Sequence, residues 1–194
     1  MAQWDGSTNS LIKTYRNPYG GPPVRYFQES TAIATAVLKL GDVVTFNTVV
    51  TTNLSVVRAP SSGGTGTNLL QVGITSLLGI CAQASTGDGS TAGATPGGTN
   101  LGPANPAKRI GVWIADPQTE FLGYLSSAGA GPALAASSLI GQNFPLLHNR
   151  TLGRWFVDST NTTAALAAVK ITDIPSESIG DTNGPVIFKF LSTN

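Results

Sequence analysis

The sequence predicts an all-β protein, on three observations. Short runs rich in Val, Ile, Thr and aromatic residues recur along the chain, each bounded by Gly, Pro, Asn or Asp. Gly and Pro number 23 and 12 of 194 residues, a density that punctuates helices out of existence. Charged residues make up 11%, against roughly 25% in an ordinary soluble domain. A coiled coil or long-helix bundle would be dominated by Ala, Glu, Lys, Leu and Arg, which this chain is not. We count about nine or ten strands in one β-sandwich or barrel-like domain over 29–194, preceded by an arm over 1–28.

The first segment differs from the rest. It holds Trp4, Tyr15, Tyr19, Tyr26 and Phe27, broken by Asn17-Pro18, Gly20-Gly21 and Pro22-Pro23, and its basic residues are Lys13, Arg16 and Arg25. The prolines disfavour helix and bias their neighbours to extended backbone. Two readings stand. An extended arm bearing Tyr, Trp and Arg suits adhesion to another protein, since these are favoured binding anchors. A terminal strand or loop covering the molecule's own core fits the same residues.

From residue 31 onward the strands follow in order. AIATAVLKL (32–40) runs through Gly41-Asp42 into VVTFNTVV (43–50), a hairpin or corner. A short run over 54–58 closes at Ala59-Pro60. LLQVGITSLLGICAQA (69–84), with Gly73 and Gly79 inside it, reads as one or two buried strands. The stretch 85–107 is Gly, Ser, Thr and Pro with one charge, Asp88, and reads as a long surface loop. RIGVWIA (109–115) ends at Asp116-Pro117 and EFLGYL (120–125) follows. Residues 134–140 suggest a helical turn, and 153–159 and 167–174 are strands. Ser176 to Gly184 is a turn region. PVIFKFL (185–191) alternates Val186, Phe188 and Phe190 with Ile187, Lys189 and Leu191.

Catalytic signals are thin. His148 is the one histidine, in LLHNR, with no serine elbow to serve, and reads as a surface or loop side chain. Cys81, the one cysteine, sits in an apolar run and reads as a small buried hydrophobe; it leaves no internal disulfide and no cysteine zinc cluster. Among the acids, Asp116 and Glu120 form the nearest pair a glycosidase could use, with Asp158, Asp173, Glu177 and Asp181 beyond. Asp42, Asp116 and Asp181 lie beside Gly or Pro and read as turn residues. The chain reads as a non-enzyme with no cofactor and no metal. A net charge of +1 offers no field for nucleic acid or an anionic membrane. No apolar run approaches the length of a membrane-spanning helix, and residues 1–10 lack the apolar stretch of a secretory signal.

The order VLKLGDVVTF, LLGICAQAS, the Gly/Ser/Thr loop, GVWIADPQTEFLGYL, TLGRWFVDST, VKITDI and DTNGPVIFKFL resembles the capsid decoration (cement) proteins of tailed bacteriophages. The resemblance covers most of 37–191 and leaves the N-terminal segment unmatched. It implies a β-rich virion protein, often a homotrimer, assembled in a host cytoplasm and bound outside the capsid between major capsid subunits. Partner contacts are then expected at Trp4, Tyr15, Arg16, Tyr19, Arg25 and Tyr26. The competing class is a carbohydrate- or receptor-binding β-module of a tail-associated protein, stacking sugars on Trp113, Tyr124 or Trp155. Those three lie in apolar runs, where core packing is the default.

Overall fold

A computed structural model describes residues 12–18, 20, 23–29, 38–46, 55–59, 69–72, 77–82, 109–127, 132–149 and 152–191. In chain order the strands are β1 (Lys13–Arg16), β2 (Val24–Glu29), β3 (Val43–Phe46), β4 (Ser55–Arg58), β5 (Leu69–Val72), β6 (Gly79–Cys81) and β7 (Arg109–Ile114). They continue as β8 (Glu120–Ser126), β9 (Asn143–Phe144), β10 (Leu146–Asn149), β11 (Arg154–Asp158), β12 (Val169–Asp173) and β13 (Pro185–Phe190). The helical pieces among the described residues are three-residue 3-10 turns at Ser137–Leu139, Ala164–Leu166 and Ser176–Ser178. The protein is all-β.

Two compact units share the chain, one formed by Met1–Gly21, Pro60–Thr75 and Asp116–Asn194, the other by Pro22–Ala59 and Ser76–Ala115. The second unit is a barrel in the strand order β2-β4-β3-β6-β7, closed by β7 pairing with β2. Its neighbours run antiparallel except β2 and β4, which are parallel. Strand alternation points Val44, Val56, Cys81, Ile110 and Val112 into one buried cluster that Leu38, from the segment before β3, joins, with Phe27, Leu78 and Ile114 packed against it. Cys81 is fully buried there, as the sequence indicates.

The first unit is an eight-stranded sheet in the order β5-β10-β11-β8-β13-β12-β9, with β1 added to β8. Strand β8 is its hub: β1 pairs along its residues 120–122 and β13 along 121–124, while β11 runs parallel to its end at Leu125–Ser126. The alternation in PVIFKFL sends Val186, Phe188 and Phe190 inward. Phe121 meets Phe188 and Phe190 at centroid distances of 5.9 and 5.2 Å, and this aromatic cluster anchors the sheet.

The described residues of 1–28 include β1 and most of β2, both paired into sheets. Lys13–Arg16 hydrogen-bonds along β8, and Val24–Glu29 is a barrel stave between β4 and β7. Pro18 sits in the turn that follows β1, where the Gly20 amide donates to the Asn17 carbonyl at 3.3 Å, and Pro23 directly precedes β2. Residues 32–37, expected to pair with 43–50, lie outside the described residues; β3 pairs instead with β4 and β6. The long loop 85–107 also lies outside them.

Candidate interaction surface

The proposed contact residues fall on two strands. Tyr15 and Arg16 lie on β1, and Arg25 and Tyr26 on β2. Trp4 and Tyr19 lie outside the described residues. Tyr15 is 56% exposed and Tyr26 60%, large values for tyrosines held in regular strands. Because β2 alternates, Phe27 turns toward the barrel core while Val24 and Tyr26 face outward. Tyr26 stands opposite Gly111 and Val24 opposite Trp113. Gly111 has no side chain to lift the ring, so Tyr26 lies close over its backbone, its Cε1 only 3.5 Å from where a Cβ would be. The outcome is a fixed aromatic edge on the barrel wall, with half-buried Trp113 beside it.

Arg16 is anchored rather than loose. Its Nε and Nη2 both reach Glu120 Oε2 at 2.8 Å, and the Glu120 side chain is 8% exposed against 69% for Arg16. Lys189 Nζ approaches the other carboxylate oxygen at 3.9 Å. The next residues tie β1 to the turn before β8: Asn17 Nδ2 donates to Thr119 Oγ1 at 2.7 Å, and Thr119 Oγ1 donates to Asp116 Oδ2 at 2.6 Å.

Three of the acids, Asp116, Asp158 and Asp42, accept local hydrogen bonds. Asp116 Oδ1 accepts from the amides of Gln118 and Thr119 at 2.7 and 2.8 Å, an Asx turn after the strand end. Asp158 Oδ1 accepts from the Thr160 amide and hydroxyl. Asp42 accepts from Arg58 and from the Lys39 amide. Burial raises its carboxyl above the ordinary value, and Arg58 and the amide offset part of that rise. Among the described residues no group of three His, Cys, Asp or Glu side chains could hold a metal ion.

No family model, curated protein or solved structure matches the chain.

His148 corrects the sequence reading of a surface or loop side chain. It sits in β10, 6% exposed, opposite Trp155 of β11, with ring centroids 4.8 Å apart. A histidine preceded by two leucines and paired to a buried tryptophan is strand core, and its apolar neighbours Leu146 and Leu147 were the available signal. Trp155 is 1% exposed and Tyr124 8%, so neither presents a face for a sugar ring to stack on. Of the three platform candidates, Trp113 alone is half-exposed. Sequence reasoning missed Glu120 and Lys189 as neighbours of Arg16, because they meet only through the β1–β8–β13 pairing.

Proposed function

We propose that the protein is a structural virion component that binds the outside of a phage capsid and stabilises it by bridging major capsid subunits. The observation that carries the reading is the exposure of Tyr15, Arg16, Arg25 and Tyr26 on regular strands, with Tyr26 on the outer face of β2 and Arg25 on the alternate one. A tyrosine fixed in a sheet loses little conformational entropy when a partner covers it, which is what makes such residues strong anchors. The low charge, 11% of residues, supports the same reading, since a weakly charged surface of Gly, Thr and Asn loses little hydration on contact. Trp4 and Tyr19 complete the proposed contact set.

In this account the copy is one of three in a homotrimer, assembled in the host cytoplasm and seated among major capsid subunits. Three linked attachments raise the effective concentration of each, so modest single-site affinity becomes firm attachment. Separating two coat subunits then requires breaking the decoration contacts as well. Function resides in adhesion, and the protein is no enzyme and takes no cofactor, nucleic acid or membrane.

The test is co-sedimentation with capsids stripped of decoration protein. Tyr26→Ala and Arg25→Ala are expected to weaken binding by about ten-fold or more each, as hot-spot truncations do. Co-sedimentation of both variants at the native level would overturn the reading.

A further inference from the structure

One face of the eight-stranded sheet carries a row of charge that works against the sheet's own stability. Arg16 stands opposite Glu120 across β1 and β8. Lys189, one residue beyond the Phe188–Phe121 pair of β13 and β8, approaches the same carboxylate at 3.9 Å. Lys189 in turn stands opposite Lys170 of β12, and Lys170 opposite Asn143 of β9. The row therefore reads Arg16, Glu120, Lys189, Lys170, Asn143 across five strands: three cations to one carboxylate.

That carboxylate is already committed. Arg16 takes Oε2 at 2.8 Å through two nitrogens, leaving Lys189 a long contact to Oε1. Lys170 is exposed and has no ion-pair partner among the described residues. Like charges directly opposite one another on antiparallel strands destabilise the pair. Folding alone would favour a neutral or acidic side chain at position 170.

We infer that this row is a docking stripe for an acidic segment of a partner protein. The inference rests on the adhesive function proposed above and names the chemistry of the surface met. Neighbouring strands lie about 4.8 Å apart, so Lys189 and Lys170 straddle one incoming carboxylate, while Arg16 lies three strands away at about 14 Å. An extended segment rising about 3.4 Å per residue and crossing the strands carries acidic residues four apart over Lys170 and Arg16. Carboxylates fit this short row better than a nucleic-acid backbone, whose binding draws on a longer track of about 6–10 phosphate contacts.

The experiment uses the full chain and two labelled probes, poly-L-glutamate and a single-stranded oligonucleotide of similar length, read by fluorescence anisotropy at low salt. Lys170→Gln and Lys170→Glu are compared with the native protein, and the melting temperature of each is recorded. Poly-L-glutamate is expected to bind in a salt-sensitive way, up to about five-fold more weakly to Lys170→Gln and more weakly still to Lys170→Glu. Melting temperature is expected to rise in the same order, by about 1–4 °C. Weaker binding by a more stable protein is an outcome that loss of structure cannot produce. Equal poly-L-glutamate binding by all three proteins, preference for the oligonucleotide, or no binding of either probe would overturn the inference. Such a result would leave the virion reading standing if capsid binding still depends on Tyr26.

Discussion

Arg58 reaches Asp42 Oδ2 from Nε at 3.1 Å and Nη2 at 2.8 Å, and so ties the turn before β3 to the end of β4 inside the barrel unit. Asp42 is 2% exposed, and the same Oδ2 also accepts from the Lys39 amide at 2.9 Å, so three donors converge on one buried carboxylate oxygen. Asp42→Asn keeps one acceptor oxygen but exchanges these charge-assisted hydrogen bonds for neutral ones, an expected cost of about 1–3 kcal/mol in chemical denaturation.

The pH dependence of that cost has a definite sign. Burial raises the folded-state Asp42 carboxyl above 3.8, so the folded chain holds this proton more tightly than the unfolded chain. Its contribution to stability is therefore fully present below the unfolded value and is lost as pH rises through the raised folded value. The stability gap between the native protein and Asp42→Asn should widen between neutral pH and about pH 4. A gap that narrows would mean that the Arg58 ion pair outweighs burial.

Two barrel glycines should differ in how far they tolerate a side chain. A Cβ on Gly79 would run into the Trp113 carbonyl oxygen of the paired strand β7, whereas one on Gly111 meets only side chains at 3.4 Å or more. Gly79→Ala is expected to destabilise by about 1–3 kcal/mol or more, and Gly111→Ala by under about 1 kcal/mol. Hydrogen exchange of the β3, β6 and β7 amides reads the difference.

The local strand pattern was legible in the sequence and the pairing was not. RIGVWIA, EFLGYL, GRWFVDS, AAVKITDI and PVIFKFL all become strands, because period-two alternation and turn residues are local properties. The run 69–84 shows what lies beyond them: it supplies β5 to the eight-stranded sheet and β6 to the barrel, although nothing in LLQVGITSLLGICAQA marks the change. Register partners of β5 and β6 lie up to about eighty residues away in sequence, and no local residue encodes that distance. Tyr15, Arg16, Arg25 and Tyr26 were legible as contact candidates by type. Their placement on β1 and β2 required the structure.

Deleting residues 1–28 should fail to leave a folded remainder. The cut removes all of β1 and nearly all of β2, whose loss opens the barrel between β4 and β7. Circular dichroism and size exclusion are expected to report an unfolded or aggregated product. Point variants are therefore the proper probes of this segment.

Phe121→Ala removes the ring shared by Phe188 and Phe190 in the first unit. The expected cost is about 3–5 kcal/mol, since a fully buried ring leaves a cavity its neighbours only partly fill. Denaturant midpoints of Phe121→Ala and the native protein give the comparison.

Electron cryomicroscopy of intact particles that carry this chain tests the central claim most directly. Density for this chain is expected on the outer capsid surface, touching at least two major capsid subunits, with the β1 and β2 tyrosines at the contacts. Density confined to a tail, or to the capsid interior, would contradict it.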